Sequence, residues 1–100
     1  MALSIQQSQD YKGNGYWGWS VWLDGTPEEL DSVDQVMWIL DPTFHNPVRY
    51  VSDRATNFRI ETFTWGKFKL YGTVMHRDGH QTKLNHDLVL LYPDGTPSLV

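Results

Sequence analysis

Apolar residues in this chain recur at every second position, in short runs cut off by turn residues. Trp17, Trp19, Val21 and Leu23 point one way, and Gly18, Ser20 and Trp22 the other. Val36, Trp38 and Leu40 share a face. So do Phe58, Ile60 and Thr62, with Arg59 and Glu61 opposite. Phe68, Leu70, Gly72 and Val74 share another, with Lys69, Tyr71 and Thr73 opposite, and Leu88, Leu90 and Tyr92 close the series. A period of two belongs to half-buried strands, because successive side chains leave opposite faces of the pleat. Leu3 to Lys12 reads as a weaker first strand.

Turn signals set the strand lengths. Gly13-Asn14-Gly15, Asp24-Gly25-Thr26-Pro27, Asp41-Pro42, Asn46-Pro47, Asp53 to Asn57, Thr64 to Lys67, Asp78-Gly79 and Pro93-Asp94-Gly95 follow one another along the chain. Their residues supply positive φ, fixed φ or local side-chain bonds. One short segment predicts helix. Thr26 caps it, Pro27 suits its first position, and Thr26-x-x-Glu29 is a capping box, with Leu30 and Val33 seating it on the core. About seven to eight short strands with turns every 8–12 residues or so predict an immunoglobulin-like antiparallel β-sandwich. At 100 residues the chain is expected to form a single domain, residues 1–100.

Composition narrows the function. The chain has no cysteine, so disulfides, zinc–thiolate sites and thiol nucleophiles are out, which suits a cytoplasmic location. The net charge of −4 argues against nucleic acid, which selects a basic face. No apolar run approaches the length of about 18 residues that crosses a membrane. Met1 to Gln6 lacks the basic start and long apolar stretch of a secretory signal, and Pro97 to Val100 reads as the start of a linker to further domains.

Catalytic motifs are wanting. There is no Gly-x-Ser-x-Gly elbow, and Gly66-Lys67 has no phosphate-loop glycine upstream. His76 and His80 have metal-like spacing, but Asp78-Gly79 places them on either side of a hairpin tip, so no metal or other cofactor is expected. His86 shares the parity of Leu88 and Leu90 and reads as a core histidine with a satisfied ring nitrogen, whereas His45 lies in a loop and is expected to be exposed.

That leaves the aromatics: five Trp, five Tyr and four Phe. Trp19, Trp38, Phe58 and Phe68 alternate with aliphatics and read as core. Phe44 and Trp65 sit among turn residues, where burial is not forced. Either both tuck into the ends of the core, or they face each other and form a slot for a flat or cationic group. Loops at one end of a sandwich do converge into recognition surfaces.

Several stretches, in this order and spacing, resemble the YEATS domain family. Trp19-Ser20-Val21-Trp22-Leu23-Asp24-Gly25 resembles its opening strand. Val33 to Leu40 followed by Asp41-Pro42-Thr43-Phe44-His45-Asn46-Pro47-Val48-Arg49 resembles its Leu-His-x-Ser/Thr-Phe-x-x-Pro segment. Thr64-Trp65-Gly66-Lys67-Phe68 looks like its Gly-Trp-Gly-x-Phe loop, and Asn85 to Leu90 like its closing strand. The details look most like the prokaryotic branch, over about residues 16–92.

The resemblance implies an immunoglobulin-like sandwich and a non-enzymatic reader of protein or peptide partners. Eukaryotic members bind acylated lysine between aromatic rings. Carried over, Phe44 and Trp65 would be the walls, Thr43 would offer its hydroxyl, and the Trp65-Gly66 backbone would bond the amide. Three positions depart from the pattern: Asp41 stands where readers have histidine, Thr64 replaces a glycine, and Lys67 stands where an acidic residue is frequent. The prokaryotic branch implies an adaptor or sensor module joined to signalling and defence proteins. The alternative is a structural or assembly domain without a ligand pocket, which joins a second copy or another domain through a strand edge or aromatic patch.

Overall fold

The computed structural model describes residues 3–98; Met1, Ala2, Leu99 and Val100 lie outside it, so the leader and linker readings are addressed only in part. Seven strands form two antiparallel sheets. The first sheet contains β1 (Ser4–Gly13), β2 (Tyr16–Asp24) and β5 (Ile60–Thr64), in the order β1-β2-β5. The second contains β3 (Val33–Ile39), β4 (Val48–Val51), β6 (Lys69–His76) and β7 (Gln81–Asp87), in the order β4-β3-β6-β7. A one-turn helix, α1 (Pro27–Asp31), links β2 to β3. This is the immunoglobulin-like sandwich that the alternation predicts.

Local signals explain most of the elements. The β1–β2 turn needs positive φ at three successive residues, Gly13, Asn14 and Gly15, all of which tolerate it. In α1, the Thr26 hydroxyl accepts the Glu29 N–H while the Glu29 carboxylate accepts the Thr26 N–H, completing the capping box. β1, read as the weakest strand, is the longest, with ten residues.

The inward faces of β2 and β3 meet in the core, where Trp17, Val21, Leu23, Val36 and Trp38 are fully buried. Each such side chain contributes about 1.5–3 kcal/mol of burial. The Trp38 indole packs against Gly72, where a Cβ would stand 3.0 Å from Trp38 Cζ3. The Trp38 Nε1–H donates to the Phe58 carbonyl at 2.8 Å.

The structure departs from the alternation at three places. Phe58 is buried but is not in a strand: it precedes β5 at φ 62°, a left-handed conformation that costs about 1–2 kcal/mol. Its N–H bond to the Asp53 carbonyl, its bond from Trp38 and its buried ring offset that cost. β4 carries no sequence signal, because its apolar Val48 and Tyr50 face outward. The closing strand is β7, which precedes Leu88–Tyr92 and holds a single apolar residue, Leu84. Leu88 and Leu90 are buried as expected, but beyond the ladder. Pro97 and Ser98, the described part of the segment read as a linker start, pack back on the domain, Pro97 bridging Leu91 and the Ser98 N–H donating to the Leu90 carbonyl.

Side chains replace the missing ladder next to β1. The Gln7 amide both accepts from the Val89 N–H (2.8 Å) and donates to the Val89 carbonyl (2.7 Å), as a neighbouring strand would. Gln9 accepts the Leu91 N–H. His86 Nε2 lies 2.6 Å from the same Gln7 oxygen, so the half-buried histidine does have a satisfied ring nitrogen.

Candidate functional site

Two loops meet at one end of the sandwich. The first, between β3 and β4, is tied at its base by the Leu40 N–H and the Pro47 carbonyl (2.7 Å). Within it, Asp41 Oδ1 accepts both the Thr43 N–H (3.0 Å) and the Thr43 hydroxyl (2.7 Å). Those two bonds, the backbone one first, hold the Asp41 carboxyl below its ordinary range. The Phe44 N–H then donates to the Asp41 carbonyl, and the Arg49 guanidinium braces the loop by donating to the His45 and Asn46 carbonyls. Asp41 is therefore a turn former that sends Phe44 toward the core. The Phe44 ring is half-buried, 5.2 Å from Phe68 and 6.4 Å, edge-on, from Trp19.

The second loop follows β5. Thr64 is buried, and its hydroxyl donates to the Gly66 carbonyl at 2.8 Å. The Gly66 N–H reaches the same hydroxyl only weakly, at 3.4 Å. This tight turn pushes Trp65 outward, where it is 72% exposed. The Tyr16 ring stands against the indole at 5.5 Å and meets Phe63 edge-on at 6.1 Å.

Between the loops lies an open cleft of about 440 Å³, a volume in the range of small-ligand sites. All six residues singled out from the sequence line it: Asp41, Thr43, Phe44, Thr64, Trp65 and Gly66. His45, Phe63, Lys67 and Phe68 complete the lining. Phe44 and Trp65 make no ring contact with each other among the described residues, each having its own aromatic neighbour.

The sequence model of the prokaryotic YEATS domain matches residues 17–89, most of the chain. The chain belongs to the prokaryotic YEATS family. Solved YEATS structures share its fold. The Yaf9 YEATS domain recognizing an H3K122suc peptide superposes with a TM-score of 0.73 at 18% identity, over 97% of this chain and 84% of that one. The Yaf9 YEATS domain bound to H3K27ac gives 0.70 at 18% identity, over 96% and 75%. The yeast AF-9 homolog protein Yaf9 gives 0.68 at 19% identity, over 96% and 69%. No curated protein matches the sequence.

In this YEATS sandwich the two readings of the loop aromatics divide. Phe44 tucks partly against the core, while Trp65 stays out. Phe68, read as core, is half-buried and also lines the cleft. Phe63 and Tyr16 were not singled out, and Lys67 was noted as a departure from the family pattern. Phe63 and Tyr16 lie on the outward parity of their strands, where aromatic residues signal contact rather than packing.

The other candidates do not assemble chemistry. His76 and His80 flank the β6–β7 tip with rings stacked 3.8 Å apart, and His80 bonds Asp78. No group of three or more metal-ligating side chains occurs among the described residues. His45 is exposed, as expected. A second hollow of about 390 Å³ lies on the outer face of β1-β2-β5. Its charges pair with each other, Lys12 with Asp10 and Arg59 with Glu61, and its Ser8 and Ser20 hydroxyls are bonded together. No helix among the described residues is long and apolar enough to cross a membrane.

Proposed function

We propose that the chain is a single non-enzymatic recognition module that binds a peptide bearing an acylated lysine in the cleft between the two loops. The observation that carries this reading is the convergence of both loops, with their aromatic rings, a backbone amide and a hydroxyl, on one open cleft. A neutral planar amide stacks on aromatic faces and still needs its polar atoms paired. The Thr43 hydroxyl donates its hydrogen bond to Asp41, so its oxygen is left to accept the acyl-amide N–H. The Gly66 N–H, held only weakly, donates to the acyl carbonyl. Trp65 covers the amide, with Tyr16 behind the indole, and Phe44 and Phe68 form the apolar wall. Yaf9 YEATS domains in complex with acylated histone peptides support the same assignment. The module serves as a cytoplasmic adaptor or sensor, joined to other domains of signalling or defence proteins.

Tryptophan fluorescence titration with acetyl-lysine, crotonyl-lysine and unmodified lysine peptides tests this. Saturable quenching by the acylated peptides alone is expected, and an equal response to the unmodified peptide would sink the reading.

One observation favours a second reading, an assembly domain without a ligand. The outer face of the four-stranded sheet exposes Val48, Tyr50 (61% exposed) and Tyr71 beside Met37 and Ile39. Concentration-dependent sedimentation with no peptide binding would select it.

A further inference from the structure

We propose that the outer face of the β4-β3-β6-β7 sheet binds a second copy of this chain, with Tyr50 of each copy seated in a hollow of the other. This gives the assembly reading a partner and a register, and it holds whatever the cleft at the loop end binds.

The two outer faces of the sandwich differ in charge. That of β1-β2-β5 carries Asp10 and Lys12, Arg59 and Glu61, paired with each other. On the face of β4-β3-β6-β7 the cross-strand-paired outward positions include Val48, Tyr50, Met37, Ile39, Tyr71 and Met75. Their sole carboxylate is Asp87 at the β7 edge, 3.9 Å from the Lys69 ammonium. Tyrosine and methionine are enriched, and acidic residues depleted, where proteins meet. A chain of net charge −4 meets its own copy here with little repulsion.

A knob and a hole stand side by side on this face. Tyr50 is its most exposed apolar side chain. Beside it lies a hollow of about 330 Å³, lined by Met37, Ile39, Tyr71 and Met75 around Thr73. Thr73 is only 7% exposed, yet its hydroxyl has no hydrogen-bond partner among the described residues, and neither has the Tyr50 hydroxyl. A tyrosine hydroxyl that becomes buried needs such a partner, and methionine sulfur packs well against its ring. An isologous contact uses one patch twice, so it requires knob and hole on the same face.

Register fixes the fit. Tyr50, Met37 and Thr73 stand in one cross-strand row, and Val48, Ile39 and Tyr71 in the next. β3 lies between β4 and β6. A two-fold axis along β3 therefore carries each Tyr50 over the other copy's Thr73, each Val48 over its Tyr71, and Met37 onto Met37. Four strands about 4.8 Å apart and seven residues of about 3.3 Å make a face of roughly 19 by 23 Å. With its corrugation the face reaches the order of 600 Å² per partner, the low end of specific interfaces, so the dimer is a weak one.

Sedimentation velocity of the 100-residue chain over about 5–500 µM tests this, and a monomer–dimer equilibrium with Kd of about 10–200 µM is expected. Tyr50→Arg should weaken the dimer at least about tenfold and keep the parent melting temperature, because Tyr50 is exposed. Tyr50→Phe, which loses only the hydroxyl, should weaken it about two- to tenfold. The chain has no cysteine, so single cysteines test the axis. Packed sheets stand about 10 Å apart, and a bismaleimide of that reach should join Met37→Cys chains in pairs but not Gln6→Cys chains, whose thiol lies on the other outer face. A chain that stays monomeric throughout, or equal cross-linking of the two cysteine variants, would overturn the proposal. A dimer indifferent to Tyr50→Arg would overturn it too, while leaving assembly through another surface.

Discussion

Tyr16 and Trp17 are neighbours on β2, yet they belong to two unlike aromatic clusters. Trp17 points inward and is fully buried. It meets Tyr11 at 5.0 Å and Tyr92 at 5.2 Å, those two rings meet each other at 5.2 Å, and its Nε1–H donates to the Leu91 carbonyl. Every face and polar atom of that indole is used. Tyr16 points outward and supports Trp65, whose own indole is mostly in solvent. On the cleft side, Trp19 touches Phe44 and Phe68, and its buried Nε1–H has no partner. A cluster that holds the fold together closes all its surfaces. A cluster suited to contact leaves ring faces open.

The comparison can be tested by removing rings, and the closed side should respond most. Trp17→Ala should cost about 3–5 kcal/mol in urea unfolding, since it opens a cavity and strands the Leu91 carbonyl. A loss under about 1 kcal/mol would show that the cluster is not closed after all. Gln7→Leu should cost about 1–3 kcal/mol, because the Val89 N–H and carbonyl and the His86 ring nitrogen lose their partner together. Phe44→Ala, at a half-buried ring, should cost about 1–2 kcal/mol and also abolish peptide quenching. Trp65→Ala should change stability by less than about 0.5 kcal/mol and still abolish binding, and a large fall in melting temperature would move Trp65 to the structural side.

The smallest expected effect is with pH. Burial holds His86 below the ordinary imidazole value of 6.5, with the Asp87 charge opposing. Burial, then the neighbouring His80, does the same for His76. Neutral imidazole is favoured in the folded state, so this stability is full above 6.5 and is lost as pH falls below it through the folded values. The urea midpoint should drop between about pH 7.5 and 5.5, and His86→Gln, which keeps an N–H for Gln7, should flatten the drop.

Alternation made the sandwich legible because inward parity is a local property. It placed Trp19, Val21, Trp38 and Leu70 in the core. It failed at β4, where apolar residues face solvent, and at β7, where a polar edge strand carries almost no apolar signal. At the site, loop position and motif spacing identified six lining residues. Phe63 escaped notice because nothing local distinguishes a strand residue that lines a cleft from one that faces open water.

Sequence alone determined what depends on residues a few positions apart: the Gly13–Gly15 turn, the Thr26 capping box, the strand parities and the Asp41–Thr43 turn. Tertiary structure decided what depends on distant partners. Gln7 and Val89 are 82 residues apart, and only the folded sandwich lets one amide stand in for a strand. The loops carrying Phe44 and Trp65 likewise share a cleft because β2 pairs with β5 while β3 pairs with β6 in the facing sheet. Local preferences act through each residue's own backbone, whereas a cleft exists only once two separately built loops are brought side by side.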